Sequence, residues 1–364
     1  MGVYSEAAVA QMREAQAVDA FKFTDLLEFA VNTERNNQNM FNALLELDFQ
    51  DAVTVQNGGY LTEAEEVKAE NKAVAKLKAI GQQIIKALEK FLEMLGTFWK
   101  KFVAKVTDFT GVNKGLVKKF GSIVVADVKA GLGENSELKL VKYEDKDIFD
   151  APVKKVQEVR AKYVDLFNVA DSKEDKGAVS DLVAEAINAI KAEDCTVSDE
   201  AIASVFSEVD VNTYLSDMTY VKNLSKNLVS GYKAQLAAIQ QKITEAQAAT
   251  KKDIAVAKKL LNPVNIVKNK PADEAIINAN AKYRICNALN SKFSKLLSQA
   301  TTVAVKKMSA DRAAYIKLGR LALAGKKAAS ASSDEEKQAT QEAAISECFL
   351  LELANDEYME ALFA

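Results

Sequence analysis

Lys86–Val106 reads KALEKFLEMLGTFWKKFVAKV, and the spacing of its apolar residues decides the fold. Leu88, Phe91, Leu92, Leu95, Phe98, Trp99, Phe102 and Val106 recur at three- and four-residue steps, the pattern of one helix face. Lys86, Lys90, Lys100, Lys101 and Lys105 take much of the remaining circumference. Two uses fit such a face. It closes over a protein core, as most amphipathic helices do, or it lies in a membrane interface with Trp99 and the Phe rings at headgroup level. Glu89 and Glu93 interrupt the basic side and weigh against the second use.

Working outward, Thr62 with Glu65 in TEAE fits a capping box that opens this helix. The helix is expected from Glu63 to about Phe109, bending at Gly81 or Gly96, a span of about 70 Å. Before it, residues 5–50 read as two or three short helices, and QNGGY (Gln56–Tyr60) as a turn. After it, SIVVADV (Ser122–Val128) and the alternating LKLVKYE, with Leu138, Leu140 and Tyr143, are expected to pair as a small β-hairpin. Pro152 begins a helix to about Val169, a second helix covers 178–193, and Ser198 caps a third. From Val211 the three/four spacing runs to Leu260 or Leu261. It resumes from Ile276 to about Leu323, beyond the proline-bearing NPVNIVKNKPAD. Two long helices joined by that loop form an antiparallel hairpin. Ser333 with Glu336 caps the last helix, which ends in FLLELANDEYMEALFA.

The expected fold is therefore mainly all-α, an elongated helical bundle with one long helical hairpin and a small β-hairpin near 120–145. Five segments follow: an acidic helical stretch 1–60; a basic amphipathic helix with a small α/β region, 61–150; short helices, 151–210; the hairpin, 211–328; and an acidic C-terminal helix, 329–364. Composition agrees. Among 364 residues there are only 14 glycines and 3 prolines, and the abundant Ala, Leu, Lys and Glu lose little rotamer freedom in helices. No apolar run reaches membrane-spanning length, and the opening MGVYSEAAVAQMREAQ has no apolar core of a secretory signal.

The absence of histidine removes the usual general base, the Ser–His and Cys–His nucleophile pairs and the commonest metal ligand. No phosphate-binding glycine motif or paired-carboxylate motif is present. No enzymatic activity, cofactor, metal or small-molecule substrate is expected. Cys195, Cys286 and Cys348 lie far apart and read as buried small hydrophobes in a reducing compartment.

A formal net charge of −3 conceals segregation. Residues 1–70 hold four basic residues against thirteen acids, and 334–364 hold Lys337 against nine. Residues 76–129 hold eleven lysines against four acids, and 251–330 hold seventeen Lys and Arg against four. Either the basic stretches face an anionic partner or the acidic ends neutralise them within the fold. Lys100, Lys101, Lys105, Lys118, Lys119, Lys306 and Lys307 are the candidate contacts for such a partner. The eight apolar residues of the opening stretch are the candidate membrane or partner face. No nucleic-acid motif is present, so DNA contact would be non-specific and electrostatic.

VYSEA, then TERNNQNMFNALLELDF, then the helix with FWKKF, then VNKGLVKKFGSIV occur in that order. The order resembles virion structural proteins of large tailed bacteriophages, over the first ~150 residues. The resemblance implies a non-enzymatic particle component, made in the bacterial cytoplasm, packed inside the head or in the tail beside other virion proteins and copies of itself. It carries over no catalytic or binding residue. LLE at Leu26–Glu28 and Leu44–Glu46 resembles cleavage sites of phage head proteases. The alternative expectation is a membrane-active helical protein, in peripheral membrane contact through helix 80–106.

Overall fold

The computed structural model describes residues 63–134, 137–164, 176–261 and 272–363. The expected helices of residues 5–50, the QNGGY turn, the Thr62 cap, the two LLE sites and the 262–271 part of the proline loop lie outside them.

Helix α1, Glu63–Phe120, is 58 residues long, about 87 Å at 1.5 Å per residue. It is helical through Gly81 and Gly96 and passes the expected end at Phe109. The apolar spacing explains the extension: Leu116, Val117 and Phe120 continue to pack on the core after the glycines Gly111 and Gly115. Both of these glycines face open space, so they cost helix propensity without breaking a contact.

The chain then turns through Gly121 (φ 67°) into α2, Val125–Leu132. This corrects the expectation that Ser122–Val128 is a strand. Val128 and Leu132, one turn apart, are buried against α9, so tertiary packing overrides the β-propensity of the valines. The antiparallel ribbon does exist, but with another second strand. β1, Lys139–Tyr143, pairs with β2, Phe206–Asp210, in the register Lys139↔Asp210 to Tyr143↔Phe206.

Between the strands lie α3 (Asp150–Tyr163), α4 (Lys176–Lys191) and α5 (Asp199–Ser204). Ser198 caps α5 as expected, accepting from the Ala201 amide at 3.1 Å. The expected single helix from Val211 is three: α6 (Val211–Ser216), α7 (Met218–Ser230) and α8 (Lys233–Ala257). Asp217 stops α6 and caps α7, accepting from Tyr220 N at 3.0 Å. Gly231 ends α7 in the left-handed region, and Tyr232 follows at φ 52°.

Helix α9, Ala272–Ala328, has 57 residues and α10 is Asp334–Phe363. At the start of α10, Ser333 Oγ accepts from Glu336 N, while the Glu336 carboxylate accepts from Ser332 N–H and O–H. The capping box expected there is present, shifted by one residue on its return arm. The long antiparallel pair is replaced by a bundle in which α9 is the shared partner of α1, α2, α4 and α10, while α8 lies mainly on α1.

The core forms two clusters along α1 and α9. The first joins Leu77, Ile84 and Leu88 of α1 to Val153 and Val156 of α3, Val183 of α4 and Ile285 and Leu289 of α9. The second joins Leu95, Phe98, Phe102 and Phe109 to Leu140, Tyr214, Leu224, Ile239, Tyr315, Leu318 and Cys348. Cys195, Cys286 and Cys348 are unbridged by disulfides and buried in these clusters, as small hydrophobes. Glycine sets one crossing. A Cβ on Gly131 would overlap the carbonyl of Leu321, and one on Gly325 would overlap that of Asp127. α2 and α9 therefore touch backbone to backbone.

Candidate functional site

The candidate membrane face is the protein's own core. Leu88, Phe91, Leu95, Phe98, Phe102 and Val106 are each at most 8% exposed. Leu92 and Trp99 are half-buried and pack on the same clusters. The outward reading of these eight residues is thus corrected: α7, α8 and α9 cover the face. No helix among the described residues is long and apolar enough to cross a membrane.

The candidate lysines separate into two environments. Lys100, Lys101, Lys118, Lys119 and Lys306 are exposed, and Lys105 is half-buried. Burial and the nearby Lys101 charge lower the Lys105 pKa. Lys119 also stands 5.4 Å from the centre of the Phe120 ring. Lys307 is different. Its side chain is 6% exposed and its ammonium lies 2.9 Å from the fully buried Asp311 carboxylate. Assigning Lys307 to an outside anion is therefore corrected. It sits one turn from Asp311 on the inner face of α9, and a charge there is stable only if paired and hydrogen-bonded.

Around this pair the fold gathers three tyrosines, from β1, α7 and the α7–α8 junction. Tyr220 of α7 donates to Asp311 Oδ1 at 2.9 Å, and Tyr232 donates to Oδ2 at 3.1 Å. The Lys307 ammonium lies 4.8, 5.5 and 5.6 Å from the ring centres of Tyr143, Tyr220 and Tyr232, within cation–π range. The Tyr143 amide of β1 donates to the Tyr220 hydroxyl at 3.2 Å. Lys142 beside it pairs with Asp217 at 2.8 Å, a hydrogen bond that lowers the Asp217 pKa. Burial, then the charges of Asp145, Asp147 and Asp311, pushes the Tyr143 phenol up to about 12. Burial raises Tyr214, Tyr220 and Tyr232 as well. The left-handed backbone of Tyr232 belongs to this arrangement, since it brings the hydroxyl to Asp311 and the ring against Phe109.

Chemically, this network holds a proton-rich, charge-balanced knot with every Asp311 oxygen occupied. It fixes β1, α7 and α8 to α9. A second polar cluster does the same elsewhere: Arg160 of α3 binds Asp253 of α8 and, at 2.9 Å, Asn290 of α9. Two clefts among the described residues are small. One, lined by Phe149, Val153, Ile239 and Leu296, has room for about one water, and the other, by Met94, Phe98 and Leu297, has less. Neither borders Lys307 or Asp311. No group of His, Cys, Asp and Glu among the described residues is arranged to hold a metal.

What faces outward on α1 is a row of lysines. Lys78, Lys86, Lys100, Lys114 and Lys118 are all exposed and fall within about 80° of the helix circumference at 3.6 residues per turn. Glu89 and Glu93 share the sector near Lys86, whereas from Lys100 onward small residues such as Ala104 and Thr107 lie between the lysines. Lys114, absent from the sequence-based candidates, belongs to this row because it sits two heptads beyond Lys100. No family model matches this chain, and neither a curated protein nor a solved structure matches it.

Proposed function

We propose that this chain is a non-enzymatic structural protein of a tailed-phage particle, internal to the head and ejected with the genome. It assembles with other virion proteins and copies of itself through helical packing, and it turns the outer lysines of α1 toward DNA or another anionic surface. The observation that carries the electrostatic part is the row Lys100, Lys114 and Lys118. These three ammonium groups are exposed on one side of a long helix and have no carboxylate partner among the described residues. The particle assignment is supported by the order of segments in the first ~150 residues. The buried polar groups support a structural role too, since the Lys307–Asp311 and Arg160–Asp253 pairs lie in the interior and the latter ties α3 to α8.

Lysines that meet phosphates release condensed counterions, so the affinity for duplex DNA falls with salt in proportion to the number of contacts. Binding of a random-sequence duplex, measured by anisotropy across a salt series, tests this. Lys100→Gln, Lys114→Gln and Lys118→Gln together are expected to flatten the slope of log K against log salt by about 0.9 per lysine that contacted a phosphate. A slope unchanged by the triple substitution would sink the assignment of this row.

A further inference from the structure

Four polar side chains meet where α1, α9 and α10 pack together, and the charge among them is not balanced. Arg312 of α9 donates through Nε to Asn113 Oδ1 of α1 at 3.1 Å, and through Nη1 to Asn355 Oδ1 of α10. Its guanidinium lies 4.2 Å from the centre of the Tyr358 ring, one turn beyond Asn355 on α10. Both amides thus turn their carbonyl oxygens to Arg312. The Asn355 NH2 is used by Ser309, at 3.0 Å to its Oγ. The Asn113 NH2 and the Tyr358 hydroxyl are buried and have no hydrogen-bond partner, and Asn113 is 0% exposed. Two other interior cations are matched by carboxylates, Lys307 by Asp311 and Arg160 by Asp253. Arg312 has no carboxylate partner among the described residues. The adjacent Asp311 is already taken by Lys307, Tyr220 and Tyr232.

We propose that Arg312, with the Asn113 NH2 and the Tyr358 hydroxyl, binds a small monovalent anion of the chloride type, which seats α10 on α1 and α9. A buried charge without a counter-charge is costly. Burial lowers the Arg312 pKa, with only the Tyr358 charge acting against it. A guanidinium keeps its proton nonetheless, so relief has to come from a negative charge. The unused groups are N–H and O–H donors, a set that suits an acceptor-only anion, and the guanidinium repels a cation. Neither of the two described clefts borders these residues, which favours an ion of about water size over a phosphate. The Asp108 carboxylate acts on the Tyr358 phenol, raising its pKa after burial. It is exposed, so screening leaves it a weak competitor. Because three helices each contribute a group, the ion binds the folded chain alone and stabilises it by mass action.

Urea unfolding of the full chain at fixed sodium, with bulky gluconate replaced stepwise by chloride, tests this directly. Fixed sodium holds the ionic strength, and hence the screening, constant. The full chain is expected to gain stability along a saturating one-site curve. Tyr358→Phe removes only a hydroxyl without a partner, so the fold is kept. The midpoint of its chloride curve is expected to move about tenfold higher, the loss of a hydrogen bond to a charged partner. Arg312→Met is expected to flatten the curve. Lys100→Gln, Lys114→Gln and Lys118→Gln together, on the outer row, are expected to leave it unchanged. No saturating rise in the full chain would overturn the site. An equal rise with and without Tyr358→Phe or Arg312→Met would also overturn it, since the ion would then bind elsewhere. A rise with inorganic phosphate that chloride does not produce would overturn the monovalent assignment.

Discussion

Lys307 and Asp311 lie 2.9 Å apart, one turn apart on α9, with side chains 6% and 0% exposed. A buried pair of this kind is worth little against an apolar replacement, but breaking it leaves a charge stranded. Asp311→Asn is expected to cost about 3–5 kcal/mol, because Lys307 stays buried without its counter-charge. Lys307→Met with Asp311→Leu is expected to cost much less than Asp311→Asn alone. Urea unfolding of the two variants measures the difference. Equal losses would show that the pair's charge balance does not govern stability.

The tyrosines around that pair give a pH prediction. Their phenols are held protonated in the folded state, Tyr143 up to about 12, chiefly by burial. A raised folded pKa means that the unfolded chain loses its phenol protons first, near pH 10. The contribution of Tyr143 is therefore complete below about pH 10 and lost as the pH rises from about 10 to about 12. Phenolate absorbance is expected to appear in step with unfolding for this cluster. Smooth titration near pH 10 in a chain that remains folded would contradict the burial of these groups.

Two kinds of glycine should respond oppositely to Ala. At Gly131 or Gly325 an added Cβ meets the backbone of the opposing helix. The expected cost is about 1–3 kcal/mol, typical of overpacking, despite better helix propensity. At Gly111 or Gly115 nothing lies within 4 Å, and Ala is expected to stabilise by about 0.5–1 kcal/mol. Thermal melts of the four variants check this. A stabilising Gly131→Ala would mean that α2 and α9 are not in backbone contact.

Trp99 is the only tryptophan, half-buried beside Phe102 at a ring separation of 6.4 Å. With the apolar face of α1 inside the core, anionic vesicles are expected to leave its fluorescence unchanged, and Phe98→Ala to cost about 3–5 kcal/mol. A blue shift with vesicles in a folded chain would show that α1 leaves the bundle for the membrane.

How far these features were readable from the sequence depended on their range. The apolar face of α1 and the caps at Ser198 and Ser333 are local patterns, and spacing alone located them. The end of α1 was misplaced because Gly111 and Gly115 look like breakers until Phe120 is seen stacked over Gly319 of α9. Strand β2 was hidden because its partner is some seventy residues away, and Phe206–Asp210 carries no two-residue turn signal. The breaks after Ser216 and Ser230 did leave signals: Asp217 is a helix-capping residue type, and Gly231 a helix stop. Lys307 looked solvated because it adjoins Lys306. Its inward direction shows only in Asp311 four residues later and in the three tyrosines that the fold brings over it.

The most direct test of the central claim is mass spectrometry of purified phage particles from the genome that encodes this chain, before and after DNA release. The account predicts that the chain is present in full particles and depleted from emptied ones along with the genome. A chain found only in host cell debris and never in particles would contradict it.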